Sequence, residues 1–271
     1  MLKCKNYVIS LPSAEKRRKH ILREFASKNV NFEFFDAFSP SEIMDKAISE
    51  LIPELAKNQT LTNGEKGCLL SHLALWKKCI DDNLDYIAIF EDDVLLSNDI
   101  STFLNRLNGV DDFAKNLPLI LKLETFLMPV ELDNYSFKTC HNRNIQLLKS
   151  VHYGTAGYII SNSGAKYCLG KLYKEEKTNI VAIDQIIFNQ FLNNEEITVY
   201  QLSPALCIQE LQQNKKESSL DSQIEVERKS VSDKLKPSFI EKLLNSYHRK
   251  KKRKLENKMR KEKNYKIVEF V

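Results

Sequence analysis

Three consecutive carboxylates, Glu91-Asp92-Asp93, follow directly on the apolar run Tyr86-Ile87-Ala88-Ile89-Phe90. Acidic side chains crowded in this way repel one another and gain nothing from a core. A divalent cation relieves that repulsion, and carboxylate oxygens suit hard ions such as Mg²⁺ and Mn²⁺. An ion held there can carry a diphosphate and neutralise it as it departs from a reacting carbon. The blander alternative is an acidic turn after a strand, and the triplet by itself does not decide between them.

The elements that would position these carboxylates alternate between strand and helix. Asn6 to Leu11 is a β-rich run ended by Pro12, and Ser13 is placed to cap a helix reaching about Lys28, with Ile21, Leu22 and Phe25 on one face. Asn31 to Phe35 reads as a second strand. Ser39-Pro40-Ser41-Glu42 carries the marks of a helix start, with Ser39 as cap and Pro40 in the first position. Thr62-Asn63-Gly64-Glu65 is a capping-box pattern opening a helix with Leu69, Leu70, Leu73, Trp76 and Ile80 at helical spacing. The run 86–90 then reads as a buried central strand. Further strands are predicted at Pro118–Leu123, Gly157–Ile160 and Ile197–Leu202, with helices from Ser163 and over Ile183–Phe191. This pattern predicts an α/β fold with a mostly parallel sheet and flanking helices, in which ligands gather at the carboxyl ends of the strands.

Several segments in this order resemble glycosyltransferase family 25. They are Tyr7-Val8-Ile9-Ser10-Leu11 with Glu15-Lys16-Arg17-Arg18, then Phe34-Phe35-Asp36-Ala37, then Glu65-Lys66-Gly67-Cys68-Leu69-Leu70-Ser71-His72-Leu73 with Trp76. Phe90-Glu91-Asp92-Asp93-Val94, Gly154-Thr155-Ala156-Gly157-Tyr158-Ile159-Ile160-Ser161 and Ile183-Asp184 continue the series. Ser203-Pro204-Ala205-Leu206-Cys207-Ile208-Gln209-Glu210 is similar to bacterial lipooligosaccharide β-1,4-galactosyltransferases. The resemblance spans about residues 5 to 211.

The resemblance implies a GT-A-like, Rossmann-like catalytic domain over 1–211, a UDP-galactose donor, a Mn²⁺-type cation (or Mg²⁺) and inversion at the anomeric carbon. It implies a terminal glucose or N-acetylglucosamine on a lipid-linked oligosaccharide as acceptor. Asp93 becomes the preferred metal ligand. Glu91, standing where the family has Asp, becomes a second ligand or a contact to ribose or sugar. An inverting transfer needs a base for the acceptor hydroxyl, and Asp184, set among Ile183, Ile186 and Ile187, is the candidate. Its alternative role is a helix N-terminal Asp favoured by the dipole. Ser10, Arg17, Ser71, His72, Asp92, Lys122, Glu124 and Gly157 are the expected donor- or substrate-binding residues. At most one of Arg17 and Arg18 is expected on the phosphates. His152 is a minor candidate, and Gly154 and Gly157 would let backbone approach a ligand.

Composition narrows the setting. The chain has 271 residues, 42% hydrophobic and 28% charged, with only 7 Gly, so no glycine-rich phosphate loop is expected. Nothing resembles a membrane span or a signal peptide. Six cysteines without C-x-x-C spacing predict reduced thiols and a cytoplasmic location. The net charge of +5 is local: residues 249–263 hold ten Lys/Arg against two Glu, a net of +8, leaving −3 for the rest. The chain beyond 211 divides into a polar linker, 212–237, and a basic C-terminal helix, 238–271. The helix is expected to bind the anionic inner face of a membrane rather than nucleic acid, since no aromatic interleaves the basic run before Tyr265. Two other functions use the same residues: a metal-dependent phosphohydrolase, for which no second dense His/Asp cluster is visible, and a glycan-binding module without catalysis.

Overall fold

The computed structural model describes residues 3–106, 117–138, 143–174, 180–192, 194–213 and 265–271, together with Leu220, Asn257 and Lys261. Strand β1 (Cys4–Ser10) runs parallel to β2 (Glu33–Asp36), with α1 (Glu15–Ser27) between them in the chain. Helix α1 begins after Ala14, which has no capping side chain, so Ser13 does not act as its cap. The cap of α2 (Glu42–Leu51) is Ser41 rather than Ser39, because Ser41 is extended and its hydroxyl reaches the Met44 N–H. Helix α3 (Asn63–Asp81) opens on the predicted capping box: Thr62 accepts from the Glu65 N–H, and Glu65 accepts from the Thr62 N–H at 2.8 Å.

The chain continues through β3 (Tyr86–Glu91), β4 (Val94–Leu96), α4 (Ile100–Arg106), β5 (Leu119–Lys122), β6 (Glu124–Thr125), β7 (Pro129–Lys138), β8 (Asn144–Leu148), β9 (Gly157–Ser161) and α5 (Asn162–Lys174). A short α6 (Ile183–Gln185) passes into a wider π-type turn, Ile186–Gln190, where Phe188 leaves helical geometry. The predicted single helix over 183–191 is therefore broken. Strands β10 (Thr198–Ser203), β11 (Cys207–Gln209) and β12 (Tyr265–Ile267) complete the described elements.

One sheet has the order β12-β7-β8-β10-β5-β9-β3-β1-β2, and a small second sheet has the order β4-β11-β6. In the large sheet β2, β1, β3, β5, β10 and β7 point one way, while β9, β8 and β12 are reversed. Six of the nine strands thus share one direction, within the α/β class that the sequence predicts.

The period of two along the strands divides the core. Tyr7, Ile9, Ile87, Ile89, Ile120, Tyr158 and Ile160 pack with α2, α3 and α5 on one face. Val8, Ala88, Phe90, Leu119, Leu121 and Ile159 pack with Ile21 and Phe25 of α1 and Ile100 and Phe103 of α4 on the other. The run 86–90 is fully enclosed between these layers, as its uninterrupted apolar sequence predicts.

Two features depart from the sequence reading. The hairpin of β7 and β8 was not anticipated. The C-terminus also does not end as a helix. Residues 265–267 pair antiparallel with β7, Val268 is 1% exposed, its carbonyl accepts from Thr125 Oγ1, and the Ala205 N–H donates to the Glu269 carbonyl. Burying one valine contributes about 1.5–3 kcal/mol, and the strand pairing with β7 and the bonds to Thr125 and Ala205 add to it. The proposed boundary at 211 therefore does not close the folded body. The linker at 212–237 and the basic run at 249–263 lie outside the described residues, apart from Leu220, Asn257 and Lys261.

Candidate active site

Because β1, β3 and β5 share one direction, their carboxyl ends meet at a single edge of the sheet. That edge carries Ser10, the acidic triplet and Lys122. Strand β9 lies between β3 and β5 but runs the other way, pairing Gly157 with Phe90. Its beginning, not its end, therefore reaches the edge, and the loop 152–156 is laid across the carboxylates.

Asp92 and Asp93 share one cation. The Arg17 guanidinium bonds Asp92 Oδ1 and stands 3.4 Å from Asp93 Oδ2, while Ser10 Oγ donates to Asp92 Oδ2 at 2.7 Å. Burial, opposed by Arg17 and reinforced by Glu91 and Asp92, pushes the Asp93 carboxyl up to about 7. Arg18 is engaged elsewhere. It donates to the Leu11 and Ser10 carbonyls, pairs with Asp36 and lies over the Phe34 ring. Of the two arginines, only Arg17 reaches the triplet.

Glu91 is held from three sides. Thr155 Oγ1 donates to Oε1 at 2.6 Å, Gln209 Nε2 donates to Oε2 at 3.2 Å, and His72 Nε2 lies 3.7 Å from Oε1. Burial raises this carboxyl, but hydrogen bonding and charge from His72, with the bonds from Thr155 and Gln209, bring it below its ordinary range. A relay orients His72. Trp76 Nε1 can only donate, and it donates to the Tyr158 hydroxyl at 2.8 Å. The same hydroxyl lies 2.8 Å from His72 Nδ1 and fixes the ring with Nε2 turned toward Glu91. Cys68, His72 and Glu91 place donor atoms within 4.8 Å of one another.

Asp184, at the start of α6, accepts the Gly154 N–H on Oδ2 at 3.3 Å and the Gln185 N–H on Oδ1 at 2.8 Å. Under this loop lie Lys122 and Glu124, both 0% exposed. Lys122 Nζ bonds Glu124 Oε2 at 2.9 Å and the Gly154 carbonyl, and sits 4.0 Å from the Phe188 ring centre. Glu124 Oε2 also accepts the Ala156 N–H at 2.9 Å. Burial, only partly opposed by Lys122, pushes Glu124 up to about 7. The two residues expected to touch sugar hydroxyls are instead enclosed and clamp the loop. His152 is buried as well, and burial with nearby Lys122 pushes it down to about 3, so it stays neutral.

The glycines serve packing. Gly154 has φ +81°, and a Cβ there would lie 2.5 Å from Glu124 Oε1. A Cβ on Gly157 would lie 2.2 Å from Cys207 Sγ, so that glycine admits the small sheet rather than a ligand. Ser71 donates to the Gly67 carbonyl and accepts the Phe38 N–H, tying α3 to the loop after β2. Thr155 and Gln209 were not singled out by sequence reasoning, although both lie inside segments that carried the family resemblance. A hydroxyl or amide has no pattern of its own until a carboxylate is brought opposite it.

The acidic group fits a hard cation. Asp93 Oδ1 is buried and accepts no hydrogen bond from any described residue, and the available donors are carboxylate oxygens. Asp93 and Glu91 would hold the ion. Its contribution would be counter-charge for a departing diphosphate.

Carboxylates suited to a cation and a separately held carboxylate are thus tied to one loop, through Thr155 and Gly154. Residues 3–187 match the family described as glycosyltransferase family 25 (LPS biosynthesis protein), and the chain belongs to that family. It is 40% identical over 251 residues to the lipooligosaccharide biosynthesis protein lex-1 of Haemophilus influenzae, covering 84% of this chain and 83% of that one. It is 39% identical to the lacto-N-neotetraose biosynthesis glycosyltransferase LgtE of Neisseria meningitidis, over 93% and 92% of the two chains. Against LgtB of the same species identity is 39%, over 82% of each chain. Among solved structures, S. aureus TarS aligns with a TM-score of 0.39 at 14% identity, over 74% of this chain and 60% of that one, and adds no weight to the assignment.

Proposed function

We propose that this glycosyltransferase moves galactose from UDP-galactose to a terminal glucose or N-acetylglucosamine of a lipooligosaccharide, with inversion at the anomeric carbon. The observation that carries the reading is the single loop joining two carboxylate sites: Thr155 holds Glu91 while Gly154 holds Asp184. The relatives named for lipooligosaccharide and lacto-N-neotetraose biosynthesis support the acceptor class. Arg17 and Ser10 hold Asp92 at the donor side. Asp184, oriented by two backbone amides, takes the proton from the acceptor hydroxyl as that oxygen bonds to the anomeric carbon. The bond from that carbon to the diphosphate oxygen breaks on the opposite side, and UDP leaves with the bonding pair.

The basic run 249–263 complements this reading as a reversible anchor at an anionic cytoplasmic membrane face, where a lipid-linked acceptor would be met. Among the described residues no helix is long and apolar enough to cross a membrane.

The test is incubation with UDP-galactose, Mn²⁺ and a panel of glucose- and N-acetylglucosamine-terminated acceptors, with UDP release and product mass followed together. A product heavier by one hexose, with UDP in equal amount, is expected. UDP-galactose breakdown without any glycosylated product would overturn the transfer reading in favour of a hydrolase.

A further inference from the structure

We infer that Tyr153, backed by Phe126, is the platform on which the terminal hexose of the acceptor lies. This rests on the transfer reading above. Three consecutive residues lay out the site in order. Thr155 bonds Glu91, at the donor end. Gly154 bonds Asp184, the proposed base. Tyr153 precedes them in the chain, its Cα about 3.8 Å from that of Gly154.

The side chains of this loop divide between interior and solvent. His152 and Thr155 are buried, whereas Tyr153 is 42% exposed. The backbone that carries Tyr153 is also held. Its neighbour His152 accepts the Tyr153 N–H on Nδ1, and the His152 N–H donates to the Phe188 carbonyl. Phe126, just beyond β6, meets the Tyr153 ring edge-on, with centroids 6.1 Å apart and planes at 71°. Phe126 thus supports one side of a ring whose remaining surface is open to solvent beside a polar site.

The chemistry selects the ligand. The face of an aromatic ring is negative and attracts polarised C–H groups. One face of a pyranose presents such C–H groups while its hydroxyls project around the edge. A hexose laid on Tyr153 therefore keeps its hydroxyls free to reach Asp184.

The experiment uses the full-length chain and its Tyr153→Ala, Tyr153→Trp and Phe126→Ala variants. Acceptor KM, kcat and UDP-galactose affinity are measured for each. Tyr153→Ala should raise acceptor KM about tenfold, the loss expected for one ring contact, with donor affinity unchanged. Tyr153→Trp should keep acceptor KM near the wild-type value, and Phe126→Ala should raise it by less than Tyr153→Ala. Unchanged acceptor KM in Tyr153→Ala overturns the platform, as does an equal loss of donor affinity, which would make Tyr153 only a loop support. If the wild-type chain binds donor but glycosylates no acceptor, the transfer reading falls and the platform falls with it.

Discussion

The backbone N–H of Gly154 donates to Asp184 Oδ2 at 3.3 Å. The proposed base is thus aimed by main chain rather than by another side chain. The Gly154 carbonyl is in turn held by Lys122. Asp184→Asn keeps the shape of this contact while removing the proton acceptor. It should lower kcat by about 10²–10⁴-fold, the usual contribution of a positioned base, with UDP binding retained. Near-wild-type kcat in this variant would assign the base to another carboxylate.

Asp93 offers a buried oxygen without a partner among the described residues, close to two other carboxylates. Excess EDTA should stop transfer, and added Mn²⁺ should restore it. Asp93→Ala should lose activity that no cation restores, and it should bind UDP-galactose more weakly. Full turnover in EDTA, or in the variant, would remove the metal from the proposed mechanism.

Gly154 is the pivot of the loop, at φ +81° with Glu124 directly beneath it. Gly154→Ala brings backbone strain and a clash together, at a cost of about 1–3 kcal/mol. Thermal unfolding should shift down, and kcat should fall because Asp184 and Thr155 are both aimed by this segment. An alanine variant with unaltered kcat would show that loop geometry is not limiting.

Glu124 gives the fold a pH dependence of definite sign. Its carboxyl is raised from the ordinary 4.5 to about 7 in the folded chain, so the native state holds a proton that the unfolded chain releases. Its contribution to stability is full below about 4.5 and is lost as pH rises through about 7. Denaturant unfolding of the wild type and of Glu124→Gln across this range should show a steeper fall in the wild type. Parallel pH profiles would contradict the assignment. Glu124→Ala should be the more damaging change, since Gln keeps an oxygen that can accept from Lys122 and the Ala156 N–H, whereas Ala removes it.

The basic run must be tested without cutting the chain, because Val268 and the strand at 265–267 pack into the sheet beyond it. Replacing Lys250, Lys251, Lys252, Arg253 and Lys254 with Gln removes charge and keeps the terminus. At about 1 kcal/mol for each basic residue near an anionic surface, the wild type should co-sediment with phosphatidylserine vesicles at low salt and release as salt rises. The substituted chain should stay in solution and still glycosylate a small soluble acceptor. Equal sedimentation of both would refute the anchor.

Local pattern was enough for the elements whose cause is local. The capping box at Thr62 and Glu65, the apolar strand 86–90 and the acidic triplet after it are each written in adjacent residues, and each stands where the pattern put it. The family blocks likewise brought Arg17, His72, Asp93 and Asp184 into view. Direction and depth were not legible, because they depend on partners far away in the chain. Only the tertiary structure reverses β9, so that Gly154 and Thr155 reach Asp184 and Glu91. It encloses Lys122 and Glu124, whose charges read from sequence as ligand contacts and whose burial makes them a clamp. It also returns Val268 to the sheet, since a short apolar terminus after a charged run carries no periodicity of its own, and the gain from burying it exists only once β7 is there to receive it.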